Sequence, residues 1–123
     1  MSGKLIVVGT GPGNPDQTTP EAMAAIAASH VFFGYGPYLD RLTLRPDQRR
    51  VASDNREELA RAKDALHTAA SGEQVCVVSG GDPGVFAMAA AICEAIEAGP
   101  PAWRAVDLAI VPGITAMLAV AAR

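Results

Sequence analysis

The sequence is poor in the features that mark several large classes of protein. Its 123 residues include only two cysteines, two histidines and 5% aromatic residues. Cys76 and Cys93 lack CxxC spacing, which argues against a disulfide framework, and their apolar surroundings predict small core residues. No pair of His, Cys or carboxylate residues has ligand spacing, so no metal is expected. No apolar run reaches the length of a membrane span, and the first residues are too short a run for a signal peptide, which predicts a cytoplasmic protein without a membrane partner.

An excess of positive charge is also missing. Ten Lys and Arg stand against thirteen Asp and Glu, giving a net charge of −3 and a pI of about 5.2. A broad nucleic-acid-binding surface is therefore not expected. What the chain does have is apolar residues, which make up 50% of it against 19% charged residues. This balance predicts one domain with a substantial core.

Apolar, β-branched runs alternate along the chain with helical patterns. The uninterrupted apolar character of the first run is typical of a parallel strand that is covered on both faces. Alternation of strand and helix predicts an α/β fold: a mostly parallel five-stranded sheet with helices on both faces. The predicted strands are residues 5–8, 31–33, 50–53, 75–78 and 106–111, and the predicted helices are residues 20–29, 56–71 and 85–98, with one or two turns over 39–44.

Two of these helices carry informative sequence patterns. Thr19 is a favoured N-cap and is followed by Pro20 at the first helical position. In the long helix over 56–71, Leu59, Ala62 and Leu66 have the spacing expected of a core-facing side.

Three glycine-rich segments directly follow predicted strands: residues 8–15 (VGTGPGNP), 79–84 (SGGDPG) and 111–116 (VPGITA). In a parallel sheet these segments share one edge, which is where such folds place ligands. The edge would offer main-chain N–H and C=O groups, polar Thr115 and Asp82, and apolar walls from Val85, Phe86 and Met88. This combination suits a small ligand with an adenine ring, hydroxyls and an amino-acid end. Any one segment alone is also compatible with an ordinary turn.

The first segment does not match the common nucleotide-binding motifs. It reads Gly9-x-Gly11-Pro12-Gly13, with Asn14 where a dinucleotide fingerprint needs its third glycine. No acidic residue follows the second predicted strand, and no Lys-Ser/Thr pair completes a P-loop. NAD and ATP are therefore rejected as first choices.

Taken in order, the three glycine-rich segments resemble the motifs of the tetrapyrrole methylase family, the class III S-adenosylmethionine-dependent methyltransferases. The resemblance spans essentially the whole chain. Two further segments, residues 34–40 (GYGPYLD) and 82–89 (DPGVFAMA), are similar to those of members that methylate a corrin precursor in cobalamin synthesis.

The resemblance implies a two-domain enzyme of about twice this length, usually a homodimer, that binds S-adenosylmethionine between its domains and releases S-adenosylhomocysteine. Residues 1–123 would form the N-terminal tetrapyrrole methylase domain, without the C-terminal domain, and the apolar pattern at the end of the chain, which no Gly or Asn closes, fits that expectation. The isolated domain is expected to be inactive. The implied cofactor-binding residues are Pro12, Gly81, Asp82, Val85, Phe86, Thr115 and Ala116.

The implied substrate is a tetrapyrrole, which carries many carboxylates. Arg41, with Arg45, Arg49 and Arg50 behind it, is a candidate for binding them, although a solvated surface run has the same appearance. Tyr35 and Tyr38 are candidates for stacking or hydrogen bonding to the macrocycle, and core packing is the alternative. Asp82 is the candidate acid–base group, and an Asp that merely orients its turn is the simpler interpretation.

Three other functions stay open at this point. One is methylation at a different ring position, as in precorrin-4 or precorrin-2 methylation. Another is methylation of rRNA cytidine, which the acidic charge balance disfavours. The third is a non-catalytic, flavodoxin-like domain that binds a flavin or nucleotide, which Pro12 and Pro15 fit poorly.

Overall fold

The fold, given by a computed structural model, is described for residues 3–9, 19–54, 57–79 and 82–111, without the side chains of residues 82–84. Strands and helices alternate as the sequence predicts. The strands are β1 Lys4–Gly9, β2 Val31–Tyr35, β3 Arg49–Ser53, β4 Gln74–Ser79 and β5 Asp107–Val111. The helices are α1 Pro20–Ala28, α2 Gly36–Asp40, α3 Glu58–Ala70 and α4 Asp82–Ala98, with a short 3₁₀ helix at Pro101–Ala105.

The five strands form one sheet in the order β3-β2-β4-β1-β5, and every neighbouring pair is parallel. The central strands β1 and β4 are buried over nearly their whole length, because helices cover both faces of the sheet. The predicted five-stranded α/β fold is confirmed.

One face of the sheet is covered by α3 and α4 and is called here the α3/α4 face. Leu5 and Val7 of β1 point to it, and Leu66 and Ile92 are the largest buried side chains that the two helices contribute. Alanines fill the remaining helix positions, so the helices lie close to the sheet: Ala62, Ala65 and Ala69 in α3, and Ala91 and Ala95 in α4.

The opposite face is covered by α1 and α2 and is called the α1/α2 face. Ile6 and Val8 of β1 point to it, together with Phe32 of β2. Helix α1 begins as predicted, because the Thr19 hydroxyl accepts a hydrogen bond of 3.1 Å from the Ala22 N–H. Helix α2 has only five residues and contributes the buried side chain of Leu39.

Several boundaries differ from the predicted ones. Strand β2 continues through Gly34 to Tyr35, because Gly34 keeps its place in the sheet between Ala52 and Val78. Helix α2 therefore starts at Gly36, with Pro37 in its first turn, where proline is tolerated. Helix α4 starts three residues earlier than predicted, at Asp82.

Two burial predictions were wrong. Cys93 is exposed, because α4 turns Ile92 and Ala95 toward the sheet and leaves Cys93 on its outer side. Cys76 in β4 is buried as predicted. In α3 the expected core residue Leu59 is 38% exposed, and the buried stripe includes Arg61 instead.

Candidate active site

The strands that lead into the three glycine-rich segments are neighbours in the sheet. They are β4, β1 and β5, with β1 in the middle. Gly9 at the end of β1 pairs with Ser79 at the end of β4, and Val8 pairs with Val111 at the end of β5. The three strands therefore end level with one another, so the segments leave the sheet from a single edge.

The same edge contains a point where the chain reverses direction across the sheet. After β1 the chain crosses by way of α1 to β2 on the α1/α2 face, whereas after β4 it crosses by way of α4 to β5 on the α3/α4 face. Because β1 and β4 are adjacent, the carboxyl ends of these two strands are the switch point of the sheet. Open α/β sheets bind ligands at such switch points.

Four of the predicted cofactor-binding residues, Pro12, Gly81, Thr115 and Ala116, lie outside the described residues, as does any contact that they make. Asp82 is the first residue of α4, and its side chain also lies outside the description. An acidic residue at this position is stabilised by the helix dipole.

The apolar side chains of α4 that were expected to line the ligand site, Val85, Phe86 and Met88, are partly in the core and partly on the surface. Val85 is fully buried and Met88 is 2% exposed, because both pack in the core of the α3/α4 face. Phe86 is 65% exposed, a large apolar surface beside the edge at which β4 ends. Of these three side chains, Phe86 is the one that is open to a ligand.

The three predicted substrate-binding residues form a connected cluster from the last residue of β2 to the end of α2. The rings of Tyr35 and Tyr38 meet edge to face, with centroids 5.3 Å apart and planes at 84°. The Arg41 guanidinium carbon lies 5.7 Å from the centroid of the Tyr38 ring, within cation–π range. Because β2 pairs with β4, this cluster sits beside the strand that leads into the second glycine-rich segment. Both rings are half-buried and Arg41 is exposed.

The other three arginines of the predicted group are spread over the molecule. Arg49 is the first residue of β3, so it lies at the amino ends of the strands, away from the glycine-rich segments. It forms an ion pair of 3.2 Å with Glu73. Arg45 forms an ion pair of 3.2 Å with Asp47, and the hydrogen bond from Arg45 lowers the pKa of that exposed carboxyl. Arg50 donates to the Leu42 carbonyl at 2.7 Å. Arg41 is thus the arginine of this group that lies with the tyrosines.

Sequence reasoning missed Arg61. Arg61 is only 5% exposed. Its Nε donates to Ser53 Oγ at 2.8 Å, and one Nη donates to the Asp54 carbonyl at 2.6 Å. The other Nη lies 3.6 Å from Met88 Sδ. Burial lowers the pKa of the guanidinium from its usual value, against the attraction of nearby carboxylates. The available signal was its position beside Ala62 and one turn before Ala65, on the apolar side of α3.

Among residues 3–9, 19–54, 57–79 and 82–111, no group of three His, Cys, Asp or Glu side chains has the arrangement of a metal site. In the same ranges, no helix has both the length and the apolar character that a membrane span requires.

A parallel sheet that is covered by helices on both faces and has a switch point between β1 and β4 defines a doubly wound α/β domain. A family model described as "Tetrapyrrole (Corrin/Porphyrin) Methylases" matches residues 4–123, and the chain belongs to this family.

Proteins similar to this chain include a precorrin-3B C(17)-methyltransferase of a Sinorhizobium species, with 69% identity over the whole chain and 48% of the relative. The cobalamin biosynthesis protein CobIJ of Mycobacterium tuberculosis (strain ATCC 25618 / H37Rv) is 46% identical over the whole chain and 23% of the relative. The chain therefore spans about half or less of the length of these relatives.

Solved structures show the same likeness. The crystal structure of the methyltransferase CobJ is 51% identical, with a TM-score of 0.89 over 98% of this chain and 50% of that one. A uroporphyrin-III C-methyltransferase of Thermus thermophilus, complexed with S-adenyl homocysteine, is 26% identical, with a TM-score of 0.71 over 97% of this chain and 48% of that one.

Proposed function

We propose that this protein methylates C17 of precorrin-3B with S-adenosylmethionine, with ring contraction to precorrin-4, in cobalamin biosynthesis. The observation that carries the proposal is 69% identity over the whole chain to a precorrin-3B C(17)-methyltransferase. Residues 1–123 then act as the N-terminal domain of a two-domain enzyme, in keeping with the 48% of that relative which they cover. A homodimer in the cytoplasm is part of the same proposal.

The proposed cofactor position is the switch point at the carboxyl ends of β1 and β4. Main-chain groups of the glycine-rich segments, including Pro12 and Gly81, bind the cofactor there, and Thr115 and Ala116 approach it from β5. The open aromatic surface of Phe86 supports an apolar contact at this edge. Val85 contributes from the core side by fixing the first turns of α4. When bound, the cofactor supplies an electrophilic methyl group on a sulfonium sulfur.

The proposed position of the tetrapyrrole is over Tyr35 and Tyr38. Their edge-to-face arrangement leaves ring surface for the macrocycle, and Arg41 adds a positive charge at its margin. Arg41 is exposed, and within the described residues it has no carboxylate within 4.0 Å, so its N–H groups are available to a substrate carboxylate.

The main task of the protein in this reaction is alignment. The tetrapyrrole over Tyr35 and Tyr38 would present C17 to the methyl group that the bound cofactor would supply, and the cofactor sulfur would keep the electron pair of the broken carbon–sulfur bond. Holding donor and acceptor in line and excluding water is worth roughly 7–11 kcal/mol of the barrier. Ring contraction adds a need for proton transfer, for which Asp82 at the start of α4 is the proposed group.

The substitution Asp82→Asn tests that assignment, since asparagine retains the shape of the side chain but cannot carry the proton. A proton-transfer role predicts a large loss of ring contraction with a much smaller change in S-adenosylhomocysteine affinity, to which Asp82 is also expected to contribute. A role in orienting the turn predicts that Asn supports near-normal activity.

Binding and turnover test the function itself. Calorimetry on the natural protein is expected to show heat with S-adenosylhomocysteine and none with FMN or NAD. Incubation with precorrin-3B and S-adenosylmethionine should add the mass of one methyl group and change the absorption spectrum. Heat with FMN alone would favour the flavodoxin-like alternative. Methylation of precorrin-2 or precorrin-4 instead would assign a different ring position.

Arg41→Gln tests the substrate position, with Arg49→Gln as its matched control. Arg41→Gln is expected to raise the KM for the tetrapyrrole about tenfold, the usual effect of losing one charge-assisted hydrogen bond. Arg49 lies at the amino end of β3, whereas the tyrosines lie near the carboxyl end of β2, so Arg49→Gln should leave that KM unchanged. Equal effects of the two variants would contradict the placement.

A further inference from the structure

We propose that Arg61 is a positioning residue that fixes the tyrosine cluster relative to helix α4, and so aligns acceptor with donor. The proposal depends on the function proposed above, in which Tyr35 and Tyr38 hold the tetrapyrrole and the start of α4 holds the donor. Arg61 itself is buried and touches neither.

The first anchor of Arg61 is the end of β3. Its Nε donates to Ser53 Oγ at 2.8 Å, and one Nη donates to the Asp54 carbonyl at 2.6 Å. Ser53 is the direct partner of Tyr35 in the parallel pairing of β2 with β3. The guanidinium therefore holds the strand end that lies beside Tyr35, and the Tyr35 ring in turn contacts Tyr38.

The second anchor is helix α4. The other Nη lies 3.6 Å from Met88 Sδ, in the buried layer between α3 and α4. Met88 is six residues after Asp82, which corresponds to about 9 Å along a helix. The guanidinium of Arg61 thus contacts both the end of β3, which lies beside Tyr35, and helix α4, which follows the second glycine-rich segment.

The burial of this charge supports a geometric role. Arg61 is 5% exposed, and within the described residues no carboxylate lies within 4.0 Å of it. A buried charge without an ion-pair partner is costly, and an apolar side chain of similar size often serves stability as well or better. Arginine offers what an apolar residue lacks, a rigid fork of N–H donors with fixed directions. Such a fork matters where small displacements lower the rate, as they do in an in-line transfer.

The test uses the natural protein with three variants: Arg61→Met, Arg61→Lys and Ser53→Ala. We expect Arg61→Met to lower kcat for methyl transfer at least tenfold, while the KM for the tetrapyrrole and the Kd for S-adenosylhomocysteine change less than threefold. Arg61→Lys should recover part of kcat, because it restores the charge and one donor. Ser53→Ala removes a single acceptor and should lower kcat severalfold.

A purely structural role predicts a different pattern. Lower thermal stability together with normal kcat, measured well below the melting temperature, would overturn the proposal. If Arg61→Met does not fold, Ser53→Ala decides, and an unchanged kcat in that variant counts against the inference. Failure of the wild type to bind S-adenosylhomocysteine or to methylate would refute the proposed function instead, so the two failures are distinguishable. Arg49→Met is the control and should match the wild type.

Discussion

The two faces of the sheet are built differently. The α3/α4 face carries helices of 13 and 17 residues, and the side chains that they turn toward the sheet, such as Leu66 and Ile92, are fully buried. The α1/α2 face carries helices of 9 and 5 residues and leaves an open groove of about 310 Å³ beside Met23, Ile26 and Leu42. One face is a densely packed support, whereas the other is thinly covered.

At the margin of the α1/α2 face, hydrogen bonds rather than buried apolar side chains connect the segments. The Gln48 amide donates to the carbonyls of Ile26 and Ser29, and Arg45 donates to the Ala27 carbonyl. These bonds tie the segment after α2 to the end of α1. The comparison teaches that the helix beside the proposed cofactor position packs on the more completely covered face, while Tyr38 packs on the thinly covered one.

The largest expected difference concerns the two thiols. Cys76 lies under the thin face but in a central strand, whereas Cys93 lies on the outside of α4. If the thin face does not open locally, Cys76 should react with a thiol reagent on the order of a thousand times more slowly than Cys93, by way of global unfolding. Rapid labelling of Cys76 in native buffer would show that the α1/α2 face opens by itself.

The Cys76 thiol also predicts a dependence on pH. Burial raises its pKa from 9.0 to about 12. The unfolded thiol therefore ionises first, so the stability that this group contributes is complete below pH 9 and is lost as the pH rises from about 9 to 12. Urea unfolding at several pH values should show that the free energy of unfolding falls less with rising pH in Cys76→Ala than in the wild type.

A pair of leucine truncations compares the packing directly. Leu66→Ala on the dense face should lower the free energy of unfolding by about 3 kcal/mol, since Leu66 is fully buried. Leu42→Ala beside the groove should lower it by about 1 kcal/mol, because that side chain is only partly buried and borders open space. Equal losses in urea unfolding would mean that the two faces are equally well packed.

A pair of glycine substitutions probes how α2 meets the sheet. A Cβ at Gly34 would lie 3.1 Å from the Val78 carbonyl oxygen and 3.3 Å from Leu39 Cδ2, so Gly34→Ala should destabilise by about 2 kcal/mol. Its tetrapyrrole KM should also rise, because α2 carries Tyr38. At Gly36 the nearest atom is Ala52 Cβ at 3.9 Å, so Gly36→Ala should leave the unfolding free energy unchanged or slightly higher. Urea unfolding of both variants measures the difference.

The loss of the α1 cap is expected to have a small effect. Thr19→Ala leaves the Ala22 N–H without its hydroxyl acceptor and should cost about 1 kcal/mol. Thr19→Ser retains the acceptor and should stay close to the wild type in thermal unfolding. A loss well above that value would mean that the thin face depends on α1 more than its packing indicates.

Local sequence signals predicted much of this fold because each acts over a few residues. Thr19 and Pro20 marked the start of α1, and the apolar runs located β1, β2, β4 and β5. The same local rules misplaced the end of β2, since Gly34 reads as a breaker until its two neighbouring strands supply hydrogen bonds.

The candidate site divides in the same way. Tyr35, Tyr38 and Arg41 are close in sequence, so their grouping was predictable, and the structure brings them together. Their binding of substrate stays a prediction, as do the cofactor contacts of the glycine-rich segments. Arg61 was not predictable as part of this region, because its partners Ser53, Asp54 and Met88 come from three different parts of the chain.

The sequence by itself determined the alternation of strand and helix, the Thr19 cap of α1 and the family motifs, because periodicity and turn chemistry are local properties. Only the tertiary structure decided the strand order β3-β2-β4-β1-β5, the unequal cover of the two faces and the burial of Arg61. These depend on which distant segments pack together, and burial and charge acquire their energetic meaning only once those neighbours are in place.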